Sequence, residues 1–262
     1  MSDVVQFGDV GVSRLGHVAV VELQRPPDNS IDTELVRSIA DAFESLEADP
    51  TCRAIVLCSA GKHFCAGARL GGPSDALSEA QHLGYNPLYV QAVRLFEGSI
   101  PVVAAVQGAA IGAGVGLALV ADIRVTCSEA RFAVNFSRLG FHPGFGISFT
   151  LPRLIGEAHA MDLMYTGRRI TGDEAVTIGL CERLVPLDDV RATAIEIATE
   201  IAGSAPLAVR SIRRTLRSAL AAQVKAATDH EHSVQAVLRA TEDYTEGVRA
   251  YAERRPADFK AR

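Results

Sequence analysis

Two glycine-rich stretches hold the chemistry that this chain can do with its backbone. "AIVLCSAGKHFCAGARL" and "VVAAVQGAAIGAGVGLALVADIRV" each read as a buried strand, a Gly/Ala turn and a helix. The first amides of a helix lack internal partners and point outward. Small side chains let an acceptor come close to them. One such donor aimed at a developing oxyanion contributes roughly 3–4 kcal/mol of transition-state stabilisation. The same small residues also permit a plain tight turn, and either loop alone fits both readings. The helix that follows the second turn offers no acid, base or nucleophile.

Two other glycine-loop chemistries are excluded. Gly112, Gly114 and Gly116 give G-x-G-x-G, with Leu117 where a dinucleotide fingerprint needs its third glycine. No Gly-Lys-Ser/Thr follows, so a phosphate-cradling Walker loop is absent too. His230 and His232 are two apart on a helical stretch and point to different sides, a poor metal pair. The five cysteines, Cys52, Cys58, Cys65, Cys127 and Cys181, have no close metal-ligand spacing. No metal site is expected. Cys65 lacks a partnered base and reads as packing. Glu97 and Asp122 flank the core and read as surface or structural acids.

The elements that must position these loops alternate. "VVQFGDVGVSRLGHVAVVELQRPP" reads as two strands about a Gly turn. "DTELVRSIADAFESLEAD" has Leu35, Ile39, Phe43 and Leu46 on one helical side, capped by Asp32 or Thr33. "RAIVLCSA", "PVVAAVQG" and "ADIRVTC" read as buried strands, with a polar helical stretch from about Ser78 to Glu97. Such alternation predicts an α/β fold with parallel pairing. After Leu184 the chain reads as helical, interrupted between Gly203 and Pro206. An α/β core over 1–195 and a helical region over 196–262 are expected. The latter packs either on its own core or on another subunit.

Composition agrees with an ordinary globular chain. Of 262 residues, 48% are hydrophobic and 22% charged. A formal net charge of −5 gives no reason to expect nucleic acid or an anionic membrane as partner. No apolar run approaches the roughly 20 residues of a membrane span. The N-terminus has no secretion signal, and the odd, sparse cysteines suit a reducing cytoplasm.

Four blocks come in a telling order: "GKHFCAGARL", "PVVAAVQGAAIGAGVGLALVADIRV", "ARFAVNFSRLGFHPGFGISFTLPRLIG" and "EAHAMDLMYTGRRITGDEAVTIGL". From about Leu23 to the C-terminus the chain resembles the crotonase superfamily, the enoyl-CoA hydratase/isomerase family. The resemblance implies a spiral of ββα units and a C-terminal helical region that builds trimers or dimers of trimers. It implies an acyl-CoA thioester as ligand, CoA being part of that ligand and no separate cofactor being needed. By position, the backbone N–H groups of Ala68 and Ala113 would form an oxyanion hole for the thioester enolate. Ala66 would lie against the CoA adenine. Arg25, Phe259 and Lys260 match places that hold CoA phosphates and adenine, the C-terminal pair serving a neighbouring subunit. Tyr85, Asn86 and Tyr89 follow a stretch that walls the acyl pocket in relatives.

The pattern also breaks. Hydratases of this family use two glutamates, and the matching positions here are Gly116 and Phe136. A missing general acid or base costs roughly 10²–10⁴-fold in rate. Arg69 stands in the place of the usual Asp after A-G-A, and the aspartate of some isomerases falls at Gly144. His142, in "FHPGFG", is the nearest replacement base, a neutral imidazole suited to pH 7; it equally fits a brace for the loop before Pro143. His63 on the first loop is a second, weaker candidate. The expected activity is that of a lyase or isomerase of fatty acid metabolism working through a thioester enolate with non-standard acid/base groups. The alternative is a non-catalytic acyl-CoA-binding protein.

Overall fold

Glycines at 8 and 16, both at positive φ, fold the N-terminal apolar run into three antiparallel strands, where the sequence suggested two. These are β1 (Val5–Phe7), β2 (Val10–Leu15) and β3 (Val18–Leu23). The computed structural model describes residues 4–68 and 84–262. Helix α1 (Thr33–Glu47) starts at Asp32, whose carboxylate accepts the Leu35 N–H at 2.8 Å. It buries Leu35, Ile39, Phe43 and Leu46, the face expected from their spacing.

β4 (Ala54–Ser59) then pairs parallel to β3, β5 (Val102–Val106) to β4, and β7 (Ile123–Thr126) to β5. With β10 (Arg183–Leu184) they complete a seven-stranded sheet in the order β1-β2-β3-β4-β5-β7-β10. Every residue of β4 and β5 is buried, as parallel strands covered on both faces must be. A second sheet was not read from the sequence. It joins β6 (Ala109–Ile111), β8 (Arg131–Ala133) and β9 (Arg169–Thr171). β6 lies inside the stretch read as a bare glycine turn, three residues after β5 ends.

Between and after these strands come the helices α2 (Pro87–Arg94), α3 (Ala113–Ala118), α4 (Ile147–Ile155), α5 (Glu157–Thr166) and α6 (Gly172–Thr177). The earlier part of the Ser78–Glu97 helical stretch lies outside the described residues. Helix α7 (Val190–Ala202) crosses the boundary placed at residue 195. It packs on β3, β4, β5 and β7, so the core runs to its end. The remaining helices are α8 (Pro206–Leu216), α9 (Leu220–Leu238) and α10 (Glu242–Ala252). α9 packs on α2 and α4, and α10 on the short 3₁₀ turn Ser137–Leu139. These two therefore pack back on their own core.

α8 is turned inside out. Arg213 Nε and Arg217 Nη1 each meet the Asp122 carboxylate at 2.8 Å, and Arg210 meets Glu47. The basic face thus pins the helix to the core, leaving Ile212 and Leu216 59% and 69% exposed. Among the described residues no helix is long and apolar enough to cross a membrane.

Candidate active site

The two glycine loops lie side by side. Cys65 N–H donates to the Ala109 carbonyl (2.9 Å), and Ile111 N–H to the Cys65 carbonyl (3.0 Å). Such a seam needs bare backbone. A methyl group on Gly114 would lie 2.1 Å from the Cys65 carbonyl oxygen, and one on Gly67 would lie 2.9 Å from that of Ile111. Buried Asn29 braces the first loop by donating from Nδ2 to the carbonyls of Ala60 (2.9 Å) and His63 (2.7 Å). His63 Nδ1 accepts the Ala109 N–H at 3.1 Å, which makes His63 a strut between the loops.

Ala66 and Ala68 of the first loop and Ala113 of the second line one cavity of about 300 Å³. The Gly67 carbonyl between the first two accepts the Ile31 N–H (3.0 Å). Ala113 opens α3, where the N–H has no acceptor within the helix. The rest of the wall is largely aromatic, with Tyr89, Phe136, Phe141 and Phe145 from the core and Tyr251 from α10. Phe136 is buried and meets Phe141 edge to face at 5.3 Å; Phe141 meets Tyr244 likewise at 5.5 Å. Among the described residues of the lining none is charged. Among the described residues no cluster of three or more His, Cys, Asp or Glu could hold a metal.

Residues 14–262 match the model of the enoyl-CoA hydratase/isomerase family. The enoyl-CoA hydratase EchA19 of Mycobacterium tuberculosis is 32% identical, with all of both chains aligned. The 1,2-epoxyphenylacetyl-CoA isomerase of Escherichia coli is also 32% identical, over 92% of this chain and 94% of that one. The crystal structure of an enoyl-CoA hydratase/isomerase from Pseudoalteromonas atlantica superposes with a TM-score of 0.86 at 30% identity, covering 97% of this chain and all of the other. The chain belongs to the enoyl-CoA hydratase/isomerase family. Its α/β architecture is the crotonase fold.

Of the two positions where the family resemblance places hydratase glutamates, Phe136 lines the cavity and Gly116 is closed by packing. A methyl group on Gly116 would lie 2.7 Å from the Phe145 ring, which is wholly buried. Position 144 is filled likewise. A methyl group on Gly144 would lie 1.9 Å from Tyr89 Oη, which donates to Gln235 Oε1 at 2.9 Å. Gln235 Nε2 in turn donates to the carbonyls of His142 (2.8 Å) and Pro143 (3.1 Å). Burial pushes the Tyr89 phenol well above its ordinary value, so it stays protonated.

The other candidates are dispersed. His142 is not part of the cavity lining. Its Nδ1 donates to the Pro143 carbonyl (2.8 Å), and its ring stands edge to face with His230 at 5.9 Å. Arg25 is held by Asp9 (2.8 Å), Asp32 and the Ser30 carbonyl, which makes it an internal tie. Phe259 and Lys260 line hollows beside α10, away from the alanine pair, where Lys260 N–H donates to Asp243 Oδ1 (2.6 Å). Cys65 is fully buried and its thiol is pushed up to about 12 by that burial, which keeps it inert.

One carboxylate escaped the sequence reading. Glu231 on α9 is wholly buried. It accepts the N–H groups of Gly146 (2.8 Å) and Ser148 (3.0 Å) and the Ser148 hydroxyl (2.6 Å), capping the start of α4. Burial raises its carboxyl to about 7 against the pull of those bonds. Its only signal was an acid between two histidines on a helix, which looks like any solvated face.

Proposed function

We propose that this protein is an acyl-CoA-processing enzyme, a lyase or isomerase of fatty acid metabolism. In this reading the Ala68 and Ala113 N–H groups stabilise a thioester enolate, and a group on the substrate moves the proton. The observation that carries it is that both alanines line a single apolar cavity formed by two hydrogen-bonded loops. In such a dry site two preorganised donors act with little competition from water. Ala66, on the same wall, would meet the CoA portion. Phe259 and Lys260 would reach the CoA of a neighbouring copy in a homotrimer or dimer of trimers, an assembly that the exposed Ile212 and Leu216 of α8 support. Five free, buried cysteines suit a cytoplasmic setting.

A non-catalytic acyl-CoA-binding role is the second reading. The uncharged lining among the described residues and the filled places at Gly116 and Gly144 favour it. Incubation of saturated, enoyl and dicarboxylic acyl-CoAs with the protein in D2O, followed by mass spectrometry, separates the two. Added water, exchanged deuterium, lost carboxylate or released CoA establishes catalysis and names the reaction. Ligands retained but unchanged establish the binding role.

A further inference from the structure

Asn135 immediately precedes Phe136 and shares the cavity wall with it. Its side chain stands over the start of α3, for a methyl group on Gly112 would lie 3.7 Å from Asn135 Oδ1. Among the described residues nothing hydrogen-bonds that amide. On the same wall the oxygens of Asn86 and Tyr89 are tied to other groups. Asn86 Oδ1 accepts the Leu88 N–H (3.0 Å), and Tyr89 Oη donates to Gln235. Tyr251 is half-exposed on α10. Asn135 is thus an unpaired carboxamide in a cavity whose described lining is uncharged, beside the residue whose N–H is assigned to the oxyanion hole.

A carboxamide does not ionise, so it binds rather than moves protons, and it offers two donors and an acceptor. Beneath a plain alkyl chain both ends would be stripped of water with nothing in return, which is unfavourable. Among the described residues of the wall no cation stands to pair a carboxylate in the same place. A neutral oxygen satisfies the amide in either orientation.

Resting on the acyl-CoA reading above, we propose that Asn135 is a specificity-determining residue. It selects acyl thioesters that carry an uncharged oxygen, a hydroxyl or a ketone, close to the thioester carbonyl.

The test is calorimetric titration of the full-length protein with butyryl-CoA, 3-hydroxybutyryl-CoA and succinyl-CoA, with ligand integrity checked by mass spectrometry. Wild type is expected to bind the hydroxy compound about tenfold more tightly than butyryl-CoA, and succinyl-CoA most weakly. Asn135→Leu should bring the first two within about twofold. Equal affinities in wild type, or a preference that survives in Asn135→Leu and Asn135→Ala, overturns the role of Asn135 alone. Wild type that binds none of the three thioesters overturns the acyl-CoA reading as well.

Discussion

A methyl group on Gly116 would stand 2.7 Å from Cδ1 and 2.9 Å from Cβ of Phe145. The ring on the loop before α4 therefore occupies the space into which a side chain on α3 would project. Phe145 holds this place at a φ of 63°, a left-handed conformation that is costly for a bulky residue. The Tyr89–Gln235 pair secures the loop on its other side. Position 116, where the family resemblance places a hydratase glutamate, is thus sealed by packing.

The seal predicts non-additive stability. Gly116→Glu alone should lower the unfolding free energy by at least about 1–3 kcal/mol, as overpacking does, before the cost of a buried carboxylate. Phe145→Gly removes both the ring and the backbone strain. In Gly116→Glu/Phe145→Gly the two losses should sum to clearly more than the measured loss. Denaturant unfolding of the four proteins gives the coupling; strict additivity would mean that the ring and position 116 do not share space.

Tyr89→Phe tests the bracket behind the seal. It leaves Gln235 Oε1 buried without its donor, so stability should fall by roughly 1–3 kcal/mol. Gln235→Leu should cost more, since it also strips the carbonyls of His142 and Pro143 of their partner. A Tyr89→Phe protein as stable as wild type would show that the phenol hydrogen bond carries no weight.

His142 lies outside the cavity lining, with Nδ1 on the Pro143 carbonyl. His142→Ala should therefore keep turnover of any accepted thioester within about threefold, far from the roughly 10²–10⁴-fold loss of a general base. Steady-state kinetics beside a binding isotherm decides it. Lost turnover with intact affinity would return His142 to the chemistry.

Much of this arrangement was legible in the sequence, because it rests on local signals. The apolar spacing of α1, the unbroken apolar runs of β4 and β5, and the two Gly/Ala turns each follow from neighbours a few residues apart. The alanines at 68 and 113, which line one cavity, were singled out through the order of four motif blocks. What stayed hidden depends on contacts across the chain. Tyr89 meets Gln235 across 146 residues, and Glu231 reaches Gly146 across 85. β6 was missed because three residues that pair with distant β8 and bridge to Cys65 show no period of their own. The boundary at 195 falls inside α7 because the composition shift after Leu184 precedes the end of sheet packing, which continues through that helix.

Glu231 supplies the pH dependence. Its carboxyl is raised from an ordinary value near 4.5 to about 7 in the folded protein, so the native state binds this proton more tightly than the unfolded chain does. The stabilisation from that proton is complete below the unfolded value and is lost as pH rises through about 7. The Gly146 and Ser148 donors limit the loss, because they favour the charged form. Glu231→Gln cannot titrate and so lacks this term, although its own amide faces one of those donors and lowers stability at every pH. Between about pH 5 and pH 8, wild type should therefore lose stability relative to Glu231→Gln, by at most about 3 kcal/mol. Paired unfolding curves at several pH values measure the difference directly. A gap between the two proteins that does not change with pH would place the Glu231 titration outside this range and leave its carboxylate as a permanent cap on α4.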